Sequence, residues 1–454
     1  MELYHCTRHI LADFINHFYI GGDCMKKLLF LCCALLLVTA CAQKENNTKG
    51  SETKGGHDMN TLFIGKWEGN IETPNGALPI IVDLQEDSGT LSVPVQGLSN
   101  YPFQNIQYNG DQVKVSINLS GSAVEINGTL KDEQIEATFQ QNGGKLPLIL
   151  KPYKEQPKQP VTYETLKIPV QNGELTVALQ KASKEPSPVA LIIAGSGPTD
   201  KDGNSAIAGK NNSLKMIAEG LADEGIATVR YDKRGLDDNM SLLTKEEDIT
   251  IDQYVDDAVQ VINTLLADKA YTSVHIIGHS EGSLIGLLAA QKTNVESFVS
   301  IAGAGRPADE ILLEQLKDQL APALLKETTD ALTSLKKGEQ VKNVSPELQS
   351  LFRSSVQPYM ISWLKYNPAN ELAKVNCRVL LIQGTNDIQI VATDAEALKK
   401  GKQDAELHYM KDMNHVLKKA PTDRAGNLAT YADPTLPLHE ELLPALQQFI
   451  KNEK

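Results

Sequence analysis

Five short, nearly continuous apolar runs lie between residues 188 and 384, and each ends in a glycine-bearing loop. They are Pro188–Ala194 before Gly195-Ser196-Gly197-Pro198, Ile226–Tyr231 before Asp232-Lys233-Arg234-Gly235, and Val274–Ile277 before Gly278-His279-Ser280. Val295–Ile301 before Ala302-Gly303 and Val379–Ile382 before Gln383-Gly384 complete the set. A strand apolar on both faces must be covered on both faces, and amphipathic stretches such as Tyr254–Leu266 and Leu284–Gln291 supply the covering helices. The pattern predicts an α/β architecture built on a mostly parallel sheet. Right-handed crossovers would gather the loops at the strands' carboxyl edge, where such sheets bind ligands.

A different pattern precedes it. From about Leu62 to Lys151 apolar and polar residues alternate, as at Val113, Val115, Ile117 and Leu119, then Val124 and Ile126, then Ile135, Ala137 and Phe139. Asn109-Gly110-Asp111, Asn127-Gly128 and Asn142-Gly143-Gly144 punctuate these bursts. Period two with turn residues at this spacing predicts antiparallel strands in a small barrel or sandwich. Trp67, Tyr101, Phe103 and Tyr108 are read as core, with a sugar- or lipid-contacting face as the alternative. The Pro-rich segment from Pro152 to Pro160 separates the two patterns.

The amino terminus reads as an address. Met25-Lys26-Lys27 leads into the apolar run Leu28–Ala40, shorter than the ~20 residues of a transmembrane helix, and then Cys41. Val38-Thr39-Ala40-Cys41 resembles a bacterial lipobox, which makes Cys41 the expected lipidation site and first mature residue. Asp13 and Asp23 ahead of the lysines do not fit a signal, so translation is expected to begin at Met25. Ala42 rather than Asp after the cysteine favours the outer membrane of a Gram-negative envelope. Residues from Cys41 through Asp58 hold almost no apolar side chains and read as a flexible tether. Five of the six cysteines lie in the first 41 residues, so a disulfide scaffold or a cysteine-rich zinc site is excluded. The net charge of −13 argues against a nucleic-acid partner.

Chemistry concentrates at Gly278-His279-Ser280-Glu281-Gly282, a G-x-S-x-G sequence between an apolar strand and an apolar helix. Two glycines permit a sharp strand-to-helix turn that exposes Ser280 as a nucleophile and aims helix amides at a developing oxyanion. A serine hydroxyl needs a base, and the base an orienting acid; in a fold of this kind the expected chain order is Ser, then Asp or Glu, then His. His415, in a polar loop past the strand around Leu407–Met410, is the expected base; His408 reads as a strand residue and His439 as part of a terminal helix. Asp387, just beyond Val379–Ile382, is the expected acid, while Asp394 and Glu396 read as solvated helix surface. The oxyanion hole is assigned to the amides of Glu281 and Ser196, with Gly197 as the alternative to Ser196. His279 reads as a packing or hydrogen-bonding residue, and Asp232 with Arg234 as a charge pair bracing the loops. No metal or cofactor is required.

Gly195-Ser196-Gly197-Pro198-Thr199-Asp200, Tyr231-Asp232-Lys233-Arg234-Gly235 and the G-x-S-x-G segment resemble the α/β-hydrolase superfamily, closest to bacterial esterases and serine-aminopeptidase-like hydrolases. With a lipobox and a β module ahead of such a domain, the chain resembles lipoproteins of the Bacteroidetes. The resemblance implies hydrolysis of small carboxylic esters through an acyl-enzyme. It also implies a helical cap at about 306–375, where Ile311, Leu312, Leu316 and Leu320 share one face and Met360, Trp363, Leu364 and Tyr366 form a second segment. The expected organisation is an extension and signal at 1–40, a tether at 41–59, an all-β domain at 60–155 and the hydrolase at 160–454. Expected partners are an ester substrate and, through the anchor, a membrane; a homo-oligomer is left open. Two alternatives stand beside this reading. One is an aminopeptidase or amidase whose Glu281 or Asp200 holds a substrate ammonium, and the other is a non-catalytic binding lipoprotein.

Overall fold

A computed structural model of the chain describes residues 62–73, 76–93, 98–119, 122–141, 144–154, 162–205, 209–243 and 245–452. The expected signal, Cys41 and the tether lie outside them. Contacts divide the chain between Val161 and Thr162 into two compact units.

The first unit contains nine antiparallel strands, β1 (Gly65–Thr73), β2 (Gly76–Leu84), β3 (Gly89–Val93), β4 (Leu98–Pro102), β5 (Asn105–Asn109), β6 (Gln112–Leu119), β7 (Ser122–Lys131), β8 (Gln134–Gln141) and β9 (Gly144–Pro152). Their order is β4-β3-β2-β1-β9-β8-β7-β6-β5, and its two end strands are consecutive in the chain. Phe103 N–H bonds back to Gly89 in β3, and Gln104 N–H bonds to Ser116 in β6, so the join between the end strands is held from both sides. Alternation does what period two demands. Val113, Val115, Ile117, Val124, Ile126 and Ile135 are all buried in one core. Trp67 is buried there too, its indole N–H donating to the Phe63 carbonyl at 2.8 Å, and Tyr101, Phe103 and Tyr108 pack against the same core.

One turn sits elsewhere than the sequence suggests. Asn127-Gly128 is inside β7, where Gly128 lies opposite Ala137 and a Cβ would meet Ile135 Cγ2 at 2.4 Å. The reversal falls instead at Asp132-Glu133, both at positive φ (46° and 62°), a two-residue geometry whose twist suits a hairpin.

The second unit carries an eight-stranded sheet. The antiparallel pair β10 (Glu164–Val170) and β11 (Gly173–Gln180) flanks the parallel strands β12 (Ser187–Ile193), β13 (Ala227–Tyr231), β14 (Tyr271–His279), β15 (Ser297–Ile301), β16 (Arg378–Gly384) and β17 (Glu406–Met410). The order is β10-β11-β13-β12-β14-β15-β16-β17. This is the α/β-hydrolase fold. Residues of β12 alternate between two cores: Val189, Leu191 and Ile193 join helices α2 (Ile251–Ala267) and α3 (Glu281–Ala290), while Ala190 and Ile192 join α1 (Ser213–Asp223) and the terminal helix (Leu442–Lys451). The sheet is therefore covered on both faces, as a parallel sheet must be. Because β12 has β13 on one side and β14 on the other, the strand order reverses there and leaves a crevice at the carboxyl edge. Ile193 pairs with Gly278 across that junction, which sets the loop after β12 beside the turn after β14.

Between β15 and β16 the chain is helical, with α4 (Ala308–Leu316), α5 (Pro322–Lys336), α6 (Gln349–Phe352), α7 (Gln357–Leu364) and α8 (Pro368–Leu372). Ile311, Leu312, Leu316, Met360 and Leu364 are buried, as their spacing predicts.

Candidate active site

Ser280 sits between the last residue of β14 and the first of α3 with φ 55° and ψ −120°, a strained conformation for a residue bearing a side chain. The neighbouring glycines make it attainable. A Cβ on Gly278 would lie 2.3 Å from the Gly282 carbonyl oxygen, and one on Gly282 would lie 2.2 Å from that of Ile193. Ser280 N–H is anchored to Ile301 O at 3.0 Å, and Ser283 N–H bonds Ser280 O at 2.9 Å, starting the helix.

His415 and Asp387 come together in the loops after β17 and β16. His415 Nδ1 is 2.8 Å from Asp387 Oδ2, and both residues are buried. The other carboxylate oxygen, Oδ1, accepts the amides of Gln389 (2.8 Å) and Ile390 (3.0 Å), so hydrogen bonds to both oxygens fix the orientation of the carboxylate. The two loops are stitched together: Asn386 N–H donates to Met413 O at 3.0 Å, Asn386 Nδ2 to Ala420 O at 2.7 Å, and Asn427 Nδ2 to Asn386 O at 2.8 Å. Gly384 is required by the same approach, since its Cβ would fall 2.2 Å from Met413 O.

His279 ties the turn to this pair. Its Nε2 donates to the His415 carbonyl at 2.8 Å, with ring centroids 4.9 Å apart. A carbonyl only accepts, so the Nε2 proton is fixed, and burial, aided by His415, pushes the His279 pKa down to about 4. It stays neutral and acts as a strut. His408 lies in β17, and His439 precedes the terminal helix, bonded to Lys411 O at 2.8 Å.

Ser196, Ser280 and Glu281 line a cavity whose remaining wall includes Leu284, Ile311, Leu312, Trp363, Tyr366 and Ile390. Helix α4 and the segment of α7 through Pro368 thus contribute directly to the pocket, and among the second segment's residues Trp363 and Tyr366 face it while Met360 and Leu364 are core. Sequence spacing could not make that division, because both classes are large and apolar.

Three expectations are corrected. Asp394 is buried rather than solvated; it accepts the amides of Gly305 and Arg306 and holds the Arg306 guanidinium, Oδ2 to Nη2 at 2.8 Å. Asp232 and Arg234 do not pair with each other. Asp232 Oδ2 holds Lys201 Nζ at 2.6 Å, and Arg234 forks onto Asp257 at 2.5 and 2.6 Å, so each charge has its own partner on a different segment. His439 lies in the approach to the terminal helix, not on it. The sequence assigns no role to Lys233, which it offers only as the middle of the Tyr231-Asp232-Lys233-Arg234-Gly235 segment, or to Tyr359, one aromatic among several. Among the described residues, no group of three or more His, Cys, Asp or Glu is placed to hold a metal ion.

With this geometry in place, known proteins add two kinds of likeness. The family model for serine aminopeptidase, S33, matches residues 208–419, a span that includes Ser280, Asp387 and His415. Esterase EstD of Thermotoga maritima is 27% identical over 263 residues, covering 57% of this chain and 61% of the relative's length. Similar solved structures include Est1E from Butyrivibrio proteoclasticus (15% identity, 63% of this chain and 96% of that one, TM-score 0.41). Another is a proline iminopeptidase of Mycobacterium smegmatis (17% identity, 64% and 98%, TM-score 0.41). The family match and the esterase likeness both leave part of the comparison uncovered: the family model spans less than half of this chain, and the chain spans 61% of the esterase relative's length.

Proposed function

We propose that the chain hydrolyses small carboxylic esters through an acyl-enzyme on Ser280, with His415 as base and Asp387 orienting it. The carrying observation is the buried Asp387–His415 contact at 2.8 Å, tied through His279 to the turn that bears Ser280. In this reading His415 takes the hydroxyl proton as Ser280 Oγ attacks the acyl carbon. The amides of Ser196 and Glu281 hold the oxyanion, and the protonated imidazole then gives its proton to the leaving alcohol. Water repeats the sequence on the acyl-enzyme and frees the acid.

Esters are favoured over aminoacyl amides by the state of the nearby acids. An aminopeptidase pocket wants a free carboxylate for the substrate's ammonium group. Glu281, the acid that lines the cavity among the described residues, is spent on Lys233 and Tyr359. Asp200 is spent on its own loop, accepting Asp202 N–H at 2.9 Å and Asn204 N–H at 2.8 Å. The curated relative's name, an esterase, points the same way. A panel of p-nitrophenyl esters against aminoacyl anilides tests the assignment. Ester turnover is expected, and turnover of anilides alone would replace it with the aminopeptidase reading.

The enzyme is further proposed to be lipid-anchored through Cys41 in the cell envelope, on the strength of Met25–Cys41 and the polar tether alone. Cys41→Ala should release activity from the membrane fraction; activity that stays with the membrane would contradict the anchor.

A further inference from the structure

Beneath the nucleophile lies a buried ion pair that the ester-hydrolysis steps do not use. Lys233 follows β13, and its side chain is 2% exposed. Its Nζ donates to the Gly195 carbonyl at 2.6 Å and to Glu281 Oε1 at 3.0 Å, and it lies 5.1 Å from the centre of the Tyr254 ring. The second Glu281 oxygen, Oε2, accepts from the Tyr359 hydroxyl, on helix α7 of the cap segment. Burial and the adjacent Glu281 carboxylate hold the Tyr359 phenol well above its usual pKa, so it remains a neutral donor.

The two hydrogen bonds of Lys233 fall on the two segments that carry the assigned oxyanion donors. The Gly195 carbonyl and the Ser196 N–H belong to one planar peptide and point in opposite directions. Fixing the carbonyl at its buried end therefore fixes the direction of the Ser196 amide toward the cavity. Glu281 is the first residue of α3, so clamping its carboxylate clamps the residue that carries the other amide. A buried ion pair is a poor device for stability, because desolvation offsets most of the attraction. It is a good device for fixing geometry, since contacts from the loop after β12, from α3 and from α7 converge on one ammonium and one carboxylate.

We propose that Lys233 is a positioning residue that sets the separation and direction of the Ser196 and Glu281 amides, and that Tyr359 extends this control to the cap. The proposal rests on the oxyanion hole of the ester-hydrolysis reading. It gives the cap a second role. Besides forming the wall of the pocket through Trp363 and Tyr366, the cap holds the carboxylate that steadies the catalytic turn. Lys233⁺ and Glu281⁻ also cancel, so the developing oxyanion meets amide dipoles rather than an unpaired carboxylate. Removing only the lysine both loosens the Gly195–Ser196 peptide and uncovers that negative charge.

The test uses the full chain and three variants: Lys233→Met, Tyr359→Phe and the double variant Lys233→Met/Glu281→Gln. Each is measured for kcat and KM on a p-nitrophenyl ester, for affinity toward a trifluoromethyl ketone that forms a tetrahedral adduct with Ser280, and for its thermal midpoint. A displacement of about 1 Å at a reacting centre can cost about 100-fold, and that is the expected fall in kcat for Lys233→Met. Tyr359→Phe should lose about tenfold, and the double variant should recover part of the Lys233→Met loss by removing the unpaired charge. KM should stay within about twofold throughout, and ketone affinity should fall in step with kcat, since both read the oxyanion hole. If Lys233→Met does not fold, Tyr359→Phe and the double variant carry the same test. Folded variants with wild-type kcat, or with a raised KM and an intact kcat, overturn the positioning role alone. A wild type that neither turns over ester nor forms the ketone adduct overturns the oxyanion-hole reading with it.

Discussion

In the antiparallel sheet of the first unit, buried Val113, Ile126, Ile135 and Leu150 present hydrocarbon to one another, and Ser92 is the sole buried polar side chain among that unit's described residues. Along the open sheet of the second unit, Asp232, Lys233, Arg234, Glu281, Asp387 and His415 are all buried. Topology accounts for the difference. In the antiparallel sheet every neighbouring pair but β1–β9 is consecutive in the chain, so no crossover opens a crevice along its edge. A parallel sheet that reverses order at β12 opens a crevice at its carboxyl edge, and loops from distant parts of the chain meet there. Their peptide groups and charges must be partnered locally, and the partners are what confer chemistry. The first unit thus spends its buried surface on stability, whereas the second places ions at one edge and depends on their being paired.

That contrast can be broken or sharpened by substitution. Ser280→Ala should abolish ester turnover by about 10⁵-fold or more while leaving both units folded. Measuring kcat beside circular dichroism checks it. Gly282→Ala sets a methyl group 2.2 Å from the Ile193 carbonyl, so the backbone must shift. Its expected effects are a loss of at least about 100-fold in turnover and a few kcal/mol in stability of the second unit. In the first unit the reverse should hold. Ile135→Ala empties part of a hydrocarbon core and should cost about 2–5 kcal/mol there, with unchanged turnover of a soluble p-nitrophenyl ester. Thermal scans that move one transition and leave the other in place would support it, whereas a matching fall in kcat would show that the units are not independent.

The smallest effect concerns pH. His275, bridged to Ser297 Oγ at 2.7 Å and Ser273 Oγ at 2.9 Å, has its pKa pushed down to about 4 by burial, with Arg378 adding to the shift. The unfolded chain keeps an ordinary value of 6.5, so between pH 6.5 and 4 it binds the proton that the folded chain refuses. Stability from this group is fully present above pH 6.5 and is lost as pH falls through 4. His275→Gln, which keeps a polar bridge without a titrating ring, should flatten part of that decline, by on the order of 1–3 kcal/mol at pH 4. Urea unfolding across the range reads it directly.

Much of this is legible in the chain because local rules suffice for it. Apolar runs ending in glycine-bearing loops locate β12 to β16, and the glycines around Ser280 locate the turn, since a Cβ on Gly278 would strike the Gly282 backbone and one on Gly282 that of Ile193. Ser280, Asp387 and His415 can be named from loop position relative to strands. Less legible is whatever depends on which side of a loop a residue faces. Asp232 and Arg234 are two apart in sequence yet serve Lys201 and Asp257 separately, and Asp394 looks like helix surface until Arg306 is seen folded over it. The turn at Asp132-Glu133 gives little signal because neither residue is a glycine, although both adopt positive φ. Lys233 and Tyr359 are out of reach for a simpler reason: their partner Glu281 lies 48 residues from the lysine and 78 from the tyrosine.

Labelling with a fluorophosphonate tests the central claim most directly. In the folded wild-type chain the probe should modify one residue, Ser280, as read by mass spectrometry of the peptide that contains it, and His415→Ala should suppress the reaction. Folded protein that leaves Ser280 unmodified, or that labels equally well without His415, would contradict the account.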